Sequence, residues 1–168
     1  PDTLQIVQTA WLSEQDIYAT AISENGYGIY HINLNSGDWK NILKPQPVMM
    51  TDLRIYQDNL TFVCDRTGVN ELYHFDPSTG KLYQKTSIRH GGKSFCYSPD
   101  GEYLYYTSPT MKGDLVFRTR TEDLIDREAD FTVYYKYAIA EALTAQEKEL
   151  AAAAGESLIP IDSVSTFS

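Results

Sequence analysis

The 168 residues predict an all-β fold: about three four-stranded antiparallel blades of a β-propeller, part of a larger or paired propeller, followed by a short C-terminal helix. Three observations predict it. Related stretches recur at a spacing near 43 residues. Each stretch divides into short apolar runs separated by turn residues. The chain also holds 13 Tyr and 6 Phe, residues that suit the pleated, half-buried surface of a strand.

The spacing is read from paired landmarks. Tyr30-His31 and Tyr73-His74 lie 43 residues apart, as do Gly37 and Gly80, while Gly26 and Gly68 lie 42 apart. A third copy opens at SPDGEYLYYTS (98–108) and runs through GDLVFRT (113–119), with Leu115 placed 43 residues after Leu72. Four strands and their turns fit within such a period. In the second copy the runs are MTDLRIY (50–56), LTFVC (60–64), ELYHF (71–75) and KLYQKT (81–86). Asp76-Pro77-Ser78-Thr79-Gly80 closes the third hairpin, where Pro presets φ, Gly permits positive φ and Asp bonds backbone amides. Alternation puts Tyr73 and Phe75 on one face and Leu72 and His74 on the other, so both faces carry large groups. Blades covered on both sides need that pattern. The expected blades span about 5–45, 49–87 and 92–137, with FTVYYKY (131–137) as outer strand of the third.

The remaining segment, 138–168, is read as a helical tail and an extended arm. Strong helix formers fill 139–155, Gly155 fits a stop, and Thr144 with Glu147 matches a capping box that would delay the start. SLIPIDSV (157–164) reads as a strand or arm.

The residues SPDGEYLYYTS resemble the opening of TolB-like and related WD-like propeller repeats, and CDRTGVNELYHFDPSTGKL (64–82) resembles the part that follows. The resemblance covers about 5–119 and weakens in the first copy, where Leu12-Ser13-Glu14-Gln15 stands in place of Ser-Pro-Asp-Gly. It implies a propeller of the kind found in periplasmic TolB, which docks a partner lipoprotein. Such repeats also form the non-catalytic propellers of prolyl-oligopeptidase-like and tricorn-like peptidases. A fold of this kind hosts many functions.

Chemistry-bearing motifs are scarce. Gly91-Gly92-Lys93-Ser94 ends like a phosphate loop, but Ser87 stands where its first Gly is needed, and a strand follows in place of a helix. His31 and His74 sit one repeat apart, which reads as a structural repeat, and no zinc or calcium spacing is present. No Gly-x-Ser-x-Gly elbow occurs. No cofactor is expected. The net charge of −9 disfavours nucleic acid, and no apolar run is long enough to span a membrane. Cys64 and Cys96 both lie in strand patterns and read as buried free thiols, with a bridge between them as the lesser alternative.

The expected function is therefore a non-catalytic interaction or scaffold propeller, periplasmic or otherwise extracytoplasmic. The alternative is an accessory propeller of a serine peptidase whose catalytic domain lies outside this chain. A carbohydrate module would need exposed aromatic rings, and Trp11 and Trp39 both fall in strand patterns. Loops joining second to third strands, gathered with the links between blades, supply the candidate contact residues Asn25, Tyr27, Arg66, His90, Met111 and Lys112. Outer blade faces left bare would expose apolar surface, so a protein partner, the remaining blades or a second copy is expected to cover them. Pro1 in place of an initiator Met, and an abrupt start at a strand, favour blades supplied by a longer parent.

Overall fold

The computed structural model describes residues 4–132 and 138–154. The chain divides into two compact units, residues 1–134 and 135–168.

The first unit is built of antiparallel sheets that follow the repeat. Sheet 1 holds β1 (Gln5–Trp11), β2 (Asp16–Ser23), β3 (Gly26–Asn33) and β4 (Trp39–Gln46) in that order. Sheet 2 holds β5 (Met50–Tyr56), β6 (Asn59–Cys64), β7 (Glu71–Asp76) and β8 (Lys81–Gln84). Sheet 3 holds β9 (Lys93–Tyr97), β10 (Tyr103–Thr110) and β11 (Gly113–Arg120).

The repeat is visible atom by atom at the third turn of the first two sheets. Asn33 Oδ1 accepts the N–H groups of Asn35 and Ser36. Asp76 Oδ1, 43 positions on, accepts those of Ser78 and Thr79. Gly37 and Gly80 then take φ of 74° and 70°, a conformation that side chains resist, and each donates its N–H back to the capping residue's carbonyl. The inner strands repeat a second device. Each of β1, β5 and β9 shifts register along its length, and Asp52 in β5 and Ser94 in β9 both have positive φ. A bulge leaves a backbone donor unpaired. The N–H of Leu53, next to the Asp52 bulge, donates across to Gln8 Oε1 in sheet 1 at 3.0 Å.

The alternation read from ELYHF holds. Tyr73 and Phe75, with Leu60, Phe62 and Cys64, form one core with Tyr18, Ile29 and Leu43 of sheet 1. Leu72 and Val63, on the opposite face, pack with Phe95 and Leu104 of sheet 3. Sheet 2 is thus buried on both sides. Each large apolar side chain so placed contributes about 1.5–3 kcal/mol.

The third copy departs from the expected four strands. After β11 the chain makes a short 3-10 turn (Thr121–Asp123) and returns to sheet 2, where β12 (Arg127–Glu128) pairs with β8 as a fifth strand. Ala129 N–H donates to Leu82 O, Lys85 pairs with Asp126, and Phe131 inserts edge-on against Phe62 and Tyr73. The backbone of Phe131 also accepts from the buried amide of Gln46. Burial of that ring and the open edge of β8 draw the segment to sheet 2. The rest of the expected outer strand, 133–137, lies outside the described residues. Cys64 is buried, but Cys96 is exposed. Phe95 takes the inward position on β9, so its neighbour points outward, a parity that an apolar run does not reveal.

The second unit contains α1 (Ala138–Ala154). It begins well before Thr144, which lies inside the helix and does not cap it; helix formers on both sides outweigh the capping box. Leu143 and Leu150 are each 55% exposed. Gly155 and the 157–164 segment lie outside the described residues.

The link from sheet 2 to sheet 3 is fastened by one buried constellation. Thr86 Oγ1 accepts the N–H of Leu72 at 2.9 Å and donates to the Glu71 carboxylate, whose other oxygen accepts the N–H of Ile88 at 2.6 Å. Thr86→Val should cost about 2 kcal/mol, because it strands a buried N–H and a carboxylate oxygen while preserving shape; urea denaturation reads the change. Gly26→Ala tests the turn that meets this end of sheet 1. An added Cβ would lie 1.9 Å from Gln46 O, with φ already at 101°. A loss of at least about 2 kcal/mol is expected, and an unchanged urea midpoint would contradict the packing described.

Candidate interaction surface

The connections between second and third strands gather with the inter-sheet links at one end of the sheets. The contacts are specific. Met49 N–H, in the link from sheet 1 to sheet 2, donates to Asp65 Oδ1 at 2.8 Å. Gly92 N–H, in the next link, donates to Asn70 O at 2.8 Å. Ser108 Oγ donates to Gly91 O at 2.7 Å, which ties the same link to β10. Gly91 has φ of 74°, and a Cβ there would meet Asn70 N at 2.9 Å, so the close approach requires a glycine. Gly91-Gly92-Lys93-Ser94 therefore forms a tight, pinned entry into β9, and Lys93 pairs with Asp114 at 3.3 Å.

The turns differ in length. Those after β2 and β10 are two-residue hairpins closed by Ser23↔Gly26 and Thr110↔Gly113, whereas residues 65–70 form a wider loop after β6. The tight turns present their tips to solvent. Asn25 and Lys112 are exposed, and Met111 is 106% exposed. His90 is exposed on the link before β9. Two expected contact residues prove to be partly withdrawn. Tyr27 packs against the core between sheets 1 and 2, because alternation turns it inward on β3. Arg66 lays its guanidinium 4.5 Å above the Phe131 ring, a cation–π contact that holds the returning segment. Asn25, His90, Met111 and Lys112 thus remain at the loop end as outward-facing groups. Beside Asn25 lies a shallow depression of about 560 Å³ bounded by Ile22 and Pro47.

A second surface emerges that sequence spacing did not single out. Cα pairing aligns Trp11 with Ile17, Ile17 with Ile32, and Ile32 with Trp39, which places all of them on one face of sheet 1. Ala19, Ala21, Tyr30 and Ile32 form the floor of this face. Trp11 is 69% exposed, Trp39 44% and Ile6 46%. Tyr30 meets Trp39 edge-on at 5.7 Å. Among the described residues no sheet covers this face. The exposure was readable only in part: the strand pattern showed both faces to be apolar, but not which would lack a neighbour.

The two repeat-related histidines have separate surroundings. His31 Nε2 lies 3.1 Å from Asp16, a carboxylate held below its ordinary range chiefly by hydrogen bonds from Asn33 and Ser13. His74 lies between sheets 2 and 3, with Nε2 2.8 Å from the Tyr97 hydroxyl, and Tyr97 stacks on Tyr56 at 3.8 Å. Burial, aided by the nearby Lys85 ammonium, pushes the His74 imidazole down to about 4. The same burial raises the Tyr97 phenol. This is a packed neutral cluster. Among the described residues no group of three or more His, Cys, Asp or Glu stands placed to hold a metal ion.

TolB from Acinetobacter baumannii superposes with a TM-score of 0.58 at 17% identity, over 71% of this chain and 31% of that one. A protein described as TolB from Agrobacterium tumefaciens superposes with a TM-score of 0.52 at 20% identity, over 69% of this chain and 43% of the other. The fold is a TolB-like β-propeller. The chain spans less than half the length of either structure. No family model and no curated protein matches the sequence. Among the described residues no helix is long and apolar enough to cross a membrane.

The His74 cluster sets a pH dependence for the propeller. The folded imidazole titrates near 4 and the unfolded one near 6.5, so the unfolded chain binds more protons between those values. Stability is complete above pH 6.5 and falls as pH drops toward 4, by up to about 3 kcal/mol from this group. In His74→Phe the decline should be markedly shallower. Equal slopes for the two proteins in urea titrations across this range would rule the cluster out.

Proposed function

We propose that this chain is a non-catalytic protein-interaction module of an extracytoplasmic protein, and that it binds protein through the bare face of sheet 1 and through the loop end beside it. The observation that carries the reading is the row Trp11–Ile17–Ile32–Trp39. Its two tryptophans are the only ones in the chain, and both face solvent. A flat apolar sheet face of this kind is matched by another protein surface, because water solvates it poorly and another sheet or helix buries it well. Large, rigid aromatic rings supply contact area at small entropic cost. Met111, a flexible thioether at full exposure, adds an adaptable contact at the loop end. The TolB-like resemblance supports the extracytoplasmic placement.

The partner is expected to be protein, either further blades of a longer chain or a separate polypeptide. A photoreactive phenylalanine analogue at Trp11 or Trp39, in the chain expressed in its own cells, should give one discrete cross-linked protein species recovered from the extracytoplasmic fraction. The same analogue at Asp58, in the turn between β5 and β6, should give none. Cross-links only to lipid or glycan, or no adduct at either tryptophan, would remove the basis for the proposal.

A further inference from the structure

Strand β11 is the outermost strand of sheet 3, and among the described residues no strand pairs with its outer edge. Its inner edge pairs with β10 from Thr110↔Gly113 to Tyr103↔Arg120 without a shift of register. It has no proline and no bulge, two of the devices that commonly blunt an edge. Leu115, Val116 and Phe117 are 45%, 71% and 38% exposed.

The pairing fixes which backbone groups are free. A two-residue hairpin closes on a hydrogen-bonded pair, so Gly113 directs its N–H and C=O toward β10. The parity continues to the far end, where Thr121 N–H donates to Glu102 O at 2.9 Å. Asp114, Val116, Arg118 and Arg120 therefore point their backbone groups outward. Their side chains share the outer face of sheet 3, while Leu115 and Phe117 share the inner one, where Phe117 stacks on Tyr106 at 5.7 Å.

This edge is complementary to itself. Set antiparallel to a copy with Val116 opposite Val116, it places Asp114 opposite Arg118 and Leu115 opposite Phe117. The Val116 pair and both Asp114–Arg118 pairs fall at positions whose backbone groups face outward, so each exchanges hydrogen bonds. A slip of one residue opposes outward groups to inward ones and is excluded by the ladder. A slip of two toward the turn sets Arg118 against Lys112. A slip of two the other way sets Asp114 against Arg120, which already bonds Glu122 at 2.9 Å. Arg118 lies over the Tyr103 ring at 4.8 Å, and Asp114 has one oxygen 3.3 Å from Lys93. Neither contact occupies the backbone edge.

We propose that β11 is a dimerisation edge, at which a second copy of the chain adds antiparallel with Val116 on the two-fold axis. The pairing is isologous and closed, so it ends at two copies. It uses the rim of sheet 3 and leaves the tryptophan face of sheet 1 free. An edge of this length buries less than a standard interface, and a micromolar dissociation constant is expected.

Sedimentation equilibrium on the full chain reads the mass against 19.0 kDa for one copy. A concentration-dependent dimer is expected. Val116→Pro removes only an outward N–H and spares the β10 ladder, and it should yield a monomer with an unchanged circular dichroism spectrum. Asp114→Arg and Arg118→Asp should each weaken the dimer about tenfold or more, since each sets like charges opposite one another. An equimolar mixture of these two variants restores opposite charges at both pairs and should recover dimer as a mixed species. A wild-type chain that stays monomeric, with the edge solvated or covered by residues 133–137, overturns the proposal. So does a dimer indifferent to Val116→Pro, or a failure of the mixture to recover it, because association would then use another surface or register.

Discussion

A sheet that is apolar on both faces has to be covered on both. Every other feature of this chain follows from that requirement. Sheet 2 meets it fully, with Phe62, Tyr73 and Phe75 buried toward sheet 1 and Val63 and Leu72 buried toward sheet 3. The bulge at Asp52 and the bond from Leu53 to Gln8 show how closely the inner strands approach, since one sheet's side chain completes the other's backbone ladder. The constellation of Glu71, Thr86 and Ile88 fastens the path from one sheet to the next. Sheets 1 and 3 have one neighbour each among the described residues, so the requirement is unmet on their outer sides.

Local features were legible where sequence and geometry share a period. MTDLRIY coincides with β5, and the alternation in ELYHF correctly separated the two faces of sheet 2. Turn chemistry was legible for the same reason: Asn33 and Asp76 cap equivalent turns because a short polar side chain followed by glycine has few other uses there. Long-range choices were not legible. Residues 127–128 could have joined the edge of sheet 3, and nothing in Arg127-Glu128 names β8 as their partner; the burial of Phe131 decides it. Position near a turn marks Tyr27 and Arg66 as surface groups, yet turn position does not say which way a side chain leans, and both lean onto packed rings or core. The tryptophan row was likewise invisible, because registers across strands, not spacing along them, bring Trp11 and Trp39 into line.

The third sheet shows how a repeat can be modified at its end. The β10–β11 hairpin pairs without a register shift, as β2–β3 does in sheet 1, but among the described residues no fourth strand follows along β11. The chain then returns to sheet 2, where β12 pairs with β8. Among the described residues, the fifth strand of sheet 2 and the unpaired edge of sheet 3 both follow from a single change of direction after Arg120.

The two cysteines give the fold a built-in reporter. The Cys64 thiol lies in the core between sheets 1 and 2, where burial pushes it up to about 12 and leaves almost no thiolate for an electrophile to find. Cys96 stands on the open side of sheet 3. An alkylating reagent would therefore mark sheet 3 alone in the native chain. A second adduct would appear only as the layer between the first two sheets opens, so mass spectrometry could time that opening without any engineered probe.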